Sequence, residues 1–397
     1  MNIFVGIFLV FATAFANADD FAKIEKAAKG QTVYFNAWGG DTKINNYIKW
    51  AGNTLLERHD ITLVHVKLTD TANAVSRILA EKAAGRNSDG SIDLLWVNGE
   101  NFAAMKQAKL LHDRPWVKSL PNWRYTDSNA LPGILSDFGE HTDGKESPWG
   151  RAQLVFSFDQ KRLENPPKSA AELATFIAKN PGRFTYPQPP DFIGMSFIKQ
   201  MLIELSNGDQ ALYQPVNEDN FDTISKPLWE WLDNVKPDLW RNGNAYPANY
   251  SVLRQLLGDG EIDIAISFNP ADASAAIERG ELPNSVRTYI HDGGTLANVH
   301  FLAIPFNAAA PAAAKVVANF MLSPEAQVKK ANAAVWGDPT VLSMSKLSIA
   351  QRLAFTKLPR GIATLSDSDL SQTIAEPHPT WVPRLEAAWI ERYASGE

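Results

Sequence analysis

The chain has 397 residues, 45% of them hydrophobic and 21% charged, a composition typical of a folded protein long enough for two domains. The formal net charge is −6, from 38 Lys and Arg against 44 Asp and Glu, and this balance argues against nucleic acid as a partner. The chain has no Cys, which excludes disulfides, thiolate metal ligands, Cys nucleophiles and a lipid anchor on an N-terminal Cys.

The first 18 residues have the pattern of an export signal. Residues 2–15 are almost uniformly apolar, and the small-residue triplet Ala16-Asn17-Ala18 follows them. This pattern predicts a signal peptide over residues 1–18, cleaved after Ala18, and therefore a periplasmic protein. No Lys or Arg precedes the apolar run, so a short uncleaved anchor is the alternative.

Strand and helix patterns alternate in the first part of the chain, and together they predict a parallel sheet covered on both faces. Asp70 is predicted to cap the second helix, with Val75, Ile78, Leu79 and Ala83 facing inward. The predicted strands are residues 33–37, 61–68 and 92–97, and helical patterns cover residues 44–55 and 70–83.

The middle of the chain begins with a segment rich in Pro, Trp, Gly and Asp, residues 112–150, that we interpret as a surface excursion. A capping box at Ser169 and Glu172 predicts the start of a helix. Further strands are predicted at residues 151–158, 262–268 and 299–305, and further helices at residues 192–206, 223–235, 248–257, 311–321, 348–355 and 380–394, with another that begins at Ser323.

No motif in the sequence indicates catalysis. The seven His are scattered, and neither H-E-x-x-H, G-x-S-x-G nor a phosphate-binding P-loop occurs. Gly258-Asp259-Gly260 is similar to a triplet of thiamine diphosphate enzymes, but a turn before the strand at residue 262 explains it better. We therefore predict no catalytic residue, no metal ligand and no cofactor.

Binding features stand where the predicted strands end, which is where open α/β sheets place their ligands. Glycine lets a ligand approach the backbone, and aromatic rings offer flat faces. Helix capping remains the alternative for the polar residues, and core packing for each Trp. These candidates are Gly39, Gly40, Asn98, Gly99, Glu100, Asn101 and Asn269, with Trp38, Trp149, Trp336 and Tyr246 as aromatic plates.

These segments resemble one known family. Residues 38–41 (W-G-G-D), residues 93–101 (D-L-L-W-V-N-G-E-N), residues 153–156 and residues 323–326 occur in an order similar to that of ABC-importer solute-binding proteins of the family 1 type, in the YnjB-like branch. The resemblance covers nearly the whole mature chain. It implies an α/β, periplasmic-binding-protein-like fold of two lobes joined by a two-strand hinge, which closes on a solute, and it implies a membrane permease and an ATPase as partners. The implied domains are residues 19–153 with 300–345, residues 154–299, and a C-terminal helical segment, residues 346–397, packed on a lobe.

The branch is associated with thiamine import, which makes thiamine a candidate solute. A flat organic cation would suit Trp plates combined with Glu100, Asp191 or Asp338, because cation–π contact contributes about 0.5–2 kcal/mol per ring. A polyamine, a sugar or ferric ion remain alternatives, as does an exported enzyme on the same fold. Enzymes of this fold that cleave thiamine require a Cys, which this chain lacks. We expect a monomer.

Overall fold

The computed structural model describes residues 20–366 and 368–394, which divide into two units. The predicted signal peptide and its cleavage site lie outside the described residues. The chain passes between the units within two strands, at Arg151 and at Asn298, and again after Leu358, and the short stretch Phe138–Glu140 belongs to unit 2 although the residues on either side belong to unit 1. The lobe limits expected from the sequence stay a prediction. Unit 1 comprises the residues up to Asp137, His141–Arg151 and Val299–Leu358, and unit 2 comprises Phe138–Glu140, Ala152–Asn298 and the residues from Pro359 onward.

Unit 1 has the predicted parallel sheet, in the order β2 (Thr62–Leu68), β1 (Thr32–Trp38), β3 (Leu94–Val97). Asn36 lies opposite Val66 on one side and Leu95 on the other, so the three strands end at one edge of the sheet. A fourth strand, β10, runs antiparallel to β3, and β6 also pairs with β10. The strands are β1 (Thr32–Trp38), β2 (Thr62–Leu68), β3 (Leu94–Val97), β6 (Glu146–Gln153) and β10 (Thr295–Ala303).

The helices of unit 1 begin where the sequence predicts. Asp70 caps the second of them by accepting a hydrogen bond from the Ala72 N–H at 2.8 Å. Ile78 is buried as predicted, but Leu79 is 49% exposed and Ala83 is exposed, so the inward stripe is narrower than expected. The helices are α1 (Thr42–His59), α2 (Thr71–Ala83), α3 (Glu100–Gln107), α9 (Pro311–Met321), α10 (Pro324–Ala331) and α11 (Ile349–Thr356).

The segment 112–150 is not the surface excursion that its composition predicts. Trp116 and Trp149 are buried in the core of unit 1, with Val117 and Leu120 beside them. Their apolar area outweighs the Pro and Gly content, which only sets the turns between short elements. The segment contains 3₁₀ helices at Val117–Ser119, Pro121–Tyr125 and Pro132–Leu135 and the short strands β4 (Ser136–Asp137) and β5 (Glu140–His141) before β6.

Unit 2 is built on a sheet in the order β8 (Ile264–Ser267), β7 (Val155–Asp159), β9 (Val286–Tyr289). The strands β8 and β9 both run antiparallel to the central strand β7. The short strand β11 (Thr373–Ile374) pairs with the first residues of β10. The strand predicted at 151–158 is divided between β6 and β7. The remaining elements are β7 (Val155–Asp159), β8 (Ile264–Ser267), β9 (Val286–Tyr289), α4 (Ala170–Lys179), α5 (Phe192–Leu205), α6 (Glu218–Val235), α7 (Tyr250–Gly258), α8 (Asp272–Glu278) and α12 (Trp381–Trp389).

The capping box predicted for α4 forms in a shifted way. The Ser169 hydroxyl accepts from the Glu172 N–H at 3.2 Å, as predicted, but the Glu172 carboxylate accepts from the Lys168 N–H at 2.8 Å instead of that of Ser169. At the other end of the chain, α12 is part of the unit 2 core: the Trp389 indole is buried and donates to the Tyr186 hydroxyl at 3.0 Å.

Candidate functional site

The carboxyl edge of the parallel strands in unit 1 brings two of the predicted segments together. β1 ends at Trp38 and β3 ends at Val97, and their register places these ends side by side. Residues 38–41 and 98–101 therefore share one edge, at which open α/β sheets bind ligands. Trp38 and Asn98 are half-buried there, whereas Gly40 is exposed.

The two glycines after β1 are required by close packing. A Cβ on Gly39 would lie 2.6 Å from the Cβ of Lys67, and a Cβ on Gly40 would overlap the indole of Trp38. The Gly39 N–H donates to the Leu68 carbonyl at 2.9 Å. Trp38 thus packs its ring over the backbone of Gly40, and the turn keeps one part of that ring accessible.

Gly99 is the N-cap of α3, and its backbone conformation is one that only glycine adopts readily, with φ 61° and ψ −130°. Its N–H donates to the Asp137 carboxylate at 2.9 Å. Glu100 and Asn101 form the first turn of the helix, where both are half-buried. Residues 98–101 therefore form the start of a helix, which is the structural role that the sequence offers as the alternative to solute binding.

A second carboxyl group, Glu146, lies buried close to Asp137 and is 1% exposed. Neither of its oxygens has a hydrogen-bonding partner among the described residues. Burial, followed by the negative charge of Asp137, raises the pKa of Glu146, and the nearby Lys106 opposes this only in part. Sequence reasoning missed this pair because both residues belong to the segment interpreted as a surface excursion.

A carboxylate of the chain itself accepts from an N–H group at or just before the start of α1, α2 and α3, the helices that begin at this edge. Asp41 accepts from the Lys43 and Ile44 N–H groups at 2.7 and 3.2 Å, which caps α1. Asp70 caps α2 and Asp137 holds the N–H of Gly99 before α3. These negative charges offset the positive ends of the helix dipoles at this edge.

Three other predicted residues, Trp149, Trp336 and Asp338, lie together in the interior of unit 1. The centroids of the two indoles are 5.3 Å apart, and the ring faces are already occupied by a cation, the ammonium of Lys330, at 5.1 and 5.3 Å. Lys330 pairs with Asp338 at 2.6 Å and donates to the Trp149 carbonyl. The structure therefore gives these rings and this carboxylate a partner from the chain where the sequence predicts a solute.

His300 completes this buried group, 3.0 Å from the Asp338 carboxylate. Burial lowers the pKa of His300 even though Asp338 opposes the change, so the ring is neutral at pH 7. Burial likewise lowers the pKa of Lys330, while its pairing with Asp338 favours the charged form. For Asp338, His300 and Lys330 outweigh burial and lower the pKa. The group is thus a Lys330–Asp338 ion pair with a neutral imidazole beside it.

The predicted residues of unit 2 have structural partners of their own. Asp191 caps α5 through the Ile193 and Gly194 N–H groups at 2.9 and 3.1 Å. Tyr246 is half-buried against Tyr186, and the Asn269 side chain accepts from the Ala271 N–H at 3.0 Å.

No group of three or more His, Asp or Glu side chains in residues 20–366 and 368–394 is arranged to hold a metal ion. Within the same ranges, no helix combines the length and the apolar character that crossing a membrane requires.

Known proteins are similar to this chain in sequence and in fold. The family of bacterial extracellular solute-binding proteins matches residues 50–350. Protein YnjB of Escherichia coli K12 is 45% identical over 391 residues, 98% of each chain. The periplasmic binding protein AfuA of Actinobacillus pleuropneumoniae, solved with exogenous fructose-6-phosphate bound, has a TM-score of 0.63 at 14% identity, over 92% of this chain and 99% of AfuA. The Tp0655 (TpPotD) lipoprotein of Treponema pallidum has a TM-score of 0.66 at 15% identity, over 91% and 98%.

The chain therefore belongs to the bacterial extracellular solute-binding protein family. Its periplasmic-binding-protein-like, mixed α/β fold, expected from the sequence, is confirmed by the two solved structures.

Proposed function

We propose that this protein captures a small organic cation, with thiamine or a polyamine as candidates, and delivers it to an ABC importer. The observation that carries the choice of a cation is the set of acidic side chains at the carboxyl edge of unit 1. Asp41 and Asp70 cap α1 and α2, Asp137 accepts from the N–H of Gly99 before α3, and Glu146 adds a buried carboxyl group close to Asp137.

A helix N-terminus is ordinarily a site for anions, because its free N–H groups and its dipole favour negative charge. Here the capping N–H groups of α1 and α2 and the N–H of Gly99 already bind carboxylates of the chain. A second negative charge would meet repulsion and find few free donors, whereas a positive charge would be attracted. The edge is therefore suited to a cation and unsuited to a phosphate ester.

Trp38 supplies the aromatic contact in this proposal. Its ring is half-buried at the end of β1, beside the backbone of Gly40, and it is the predicted aromatic plate that lies at this edge. A cation over an indole face gains about 0.5–2 kcal/mol.

Membership of the solute-binding family supports delivery to a permease and an ATPase, and it supports export, for which we propose cleavage after Ala18.

Isothermal titration of residues 19–397 tests the ligand class. Two of the solutes, thiamine and putrescine, are cations. Glucose is neutral, and fructose-6-phosphate is an anion. We expect heat only from a cation, recovery of the solute unchanged, and loss of binding in Trp38→Ala but not in Trp50→Ala, a half-buried Trp on α1 away from this edge. Binding of the sugar phosphate alone, or conversion of the solute, would refute the proposal.

A second test uses Glu146. Folding raises the pKa of this carboxyl, so the folded state favours its protonated form. The free energy of unfolding therefore falls as the pH rises above about 4.3, the pKa of Glu in an unfolded chain. Glu146→Gln should therefore stabilise unit 1 at pH 7 and flatten that pH dependence. If the carboxyl serves the solute, the same variant loses affinity for the cation. Unchanged affinity with increased stability would remove Glu146 from the proposed site.

A further inference from the structure

Unit 1 contains a cleft of about 400 Å³ that no predicted site residue lines. This volume lies within the ~300–1,000 Å³ range of small-ligand sites. His112, Arg114 and Lys315 face the cleft together with one acidic residue, Asp113. Pro305, Phe306 and Pro311 form its apolar walls.

The cleft lies at the opposite end of the strands from the candidate solute site. β10 is antiparallel to β3, so the residues after β10 lie beside the start of β3 and far from its carboxyl end. The His112 N–H donates to the Ile304 carbonyl at 2.8 Å, and the Phe306 N–H donates to the Leu110 carbonyl at 2.9 Å. Backbone hydrogen bonds therefore fix both segments that line the cleft.

Two cations, Arg114 and Lys315, face the cleft against one carboxylate, Asp113. Among the described residues, neither Arg114 nor Lys315 has a carboxylate within ion-pair distance, and Lys145 adds a third positive charge near His112. Burial and the charge of Arg114 lower the pKa of Lys315. Burial, then Lys315 and Lys145, lower the pKa of His112, and Asp113 opposes them. Positive charge is thus crowded here in a chain whose net charge is −6.

We propose that this cleft binds an oxyanion of the phosphate class, with Arg114 and Lys315 as its donors. Guanidinium and ammonium groups form short, charge-assisted hydrogen bonds to phosphate oxygens. The His112 Nε2 is 3.4 Å from the Lys315 Nζ, so the imidazole reports the charge of the cleft directly. The phosphate can be free in solution or can belong to the headgroup of a phospholipid, and this site is independent of the proposed cation site.

The test is a pH titration of the histidine resonances by NMR, with and without inorganic phosphate. A bound anion cancels the field of Lys315, so the pKa of His112 rises, whereas the resonances of His59, which does not line the cleft, should not shift with phosphate. Lys315→Gln should weaken phosphate binding by about tenfold or more, and Lys315→Arg should retain it. Both substitutions are at a half-buried position, and circular dichroism checks the fold.

A flotation assay with vesicles distinguishes the two sources of phosphate. Vesicles of phosphatidylglycerol are compared with vesicles of phosphatidylcholine, for the natural protein and for Arg114→Gln. Binding to the anionic vesicles that Arg114→Gln abolishes assigns the site to a lipid headgroup, and a His112 response to phosphate without vesicle binding assigns it to a free anion. If phosphate leaves the pKa of His112 unchanged and neither vesicle binds, the proposal is wrong.

Discussion

The buried ion pair of unit 1 gives the sharpest test of these interactions. Lys330 is 0% exposed, lies 2.6 Å from Asp338 and contacts two indole faces. Lys330→Met leaves the Asp338 carboxylate buried with only the neutral imidazole of His300 beside it. Removing one partner of such a pair costs about 3–5 kcal/mol. We expect a loss of this size in the free energy of unfolding at pH 8.

The loss should shrink as the pH falls, because His300 can take the place of the missing cation. In the natural protein, Lys330 helps to keep the imidazole neutral, while Asp338 favours its charged form. Without Lys330 the pKa of His300 rises, and a raised folded-state pKa stabilises the fold at pH values below it. At pH 5.5 the cost of Lys330→Met should therefore be clearly smaller than at pH 8.

The assay is native-state hydrogen exchange of the amides in β1 and β3, which reports the unfolding of unit 1 separately. Lys329→Met is the matched control, because Lys329 is the exposed neighbour on α10 and also lies over an indole, that of Trp50. It should change stability by less than about 1 kcal/mol. An equal cost of Lys330→Met at both pH values, or one no larger than that of the control, would refute the reasoning.

Three further substitutions test single features. Gly99→Ala imposes a side chain on a φ of 61° and should cost about 1–3 kcal/mol in urea unfolding, and a smaller loss would contradict the strain argument. Gly150→Ala places a methyl group against the buried carboxylate and imidazole, so it should cost about 1–3 kcal/mol by overpacking and shift the His300 resonances. Lys199→Met leaves Glu376 unpaired at 2% exposure and should cost about 3–5 kcal/mol, against less than about 1 kcal/mol for Lys226→Met in an exposed pair. Equal costs for the two lysines would contradict the dependence on burial.

Local features of the fold were predictable from the sequence because their causes are local. A short, mostly apolar run indicated β1 and alternating apolar residues indicated β2, and the side chain of Asp70 identifies the start of α2 wherever the helix packs. The segment 112–150 was not predictable in this way, because Trp116 and Trp149 are buried by partners remote in sequence. The carboxyl groups of Asp137 and Glu146 escaped notice for the same reason, since only the fold brings Asp137 to the N–H of Gly99 and Glu146 close to Asp137.

Lys330 shows most clearly what the sequence does and does not contain. The Trp residues predicted a site for a cation, and a cation does lie over Trp149 and Trp336, but it belongs to α10. One signal was available: Lys330 follows Ala326 by four residues, and residues at this spacing share a helix face. A lysine on the buried face of a helix has to find a carboxylate or an aromatic ring, because an isolated buried charge is too costly. A search for binding sites among aromatic residues should therefore first exclude the rings that an inward-facing Lys of the same chain already occupies.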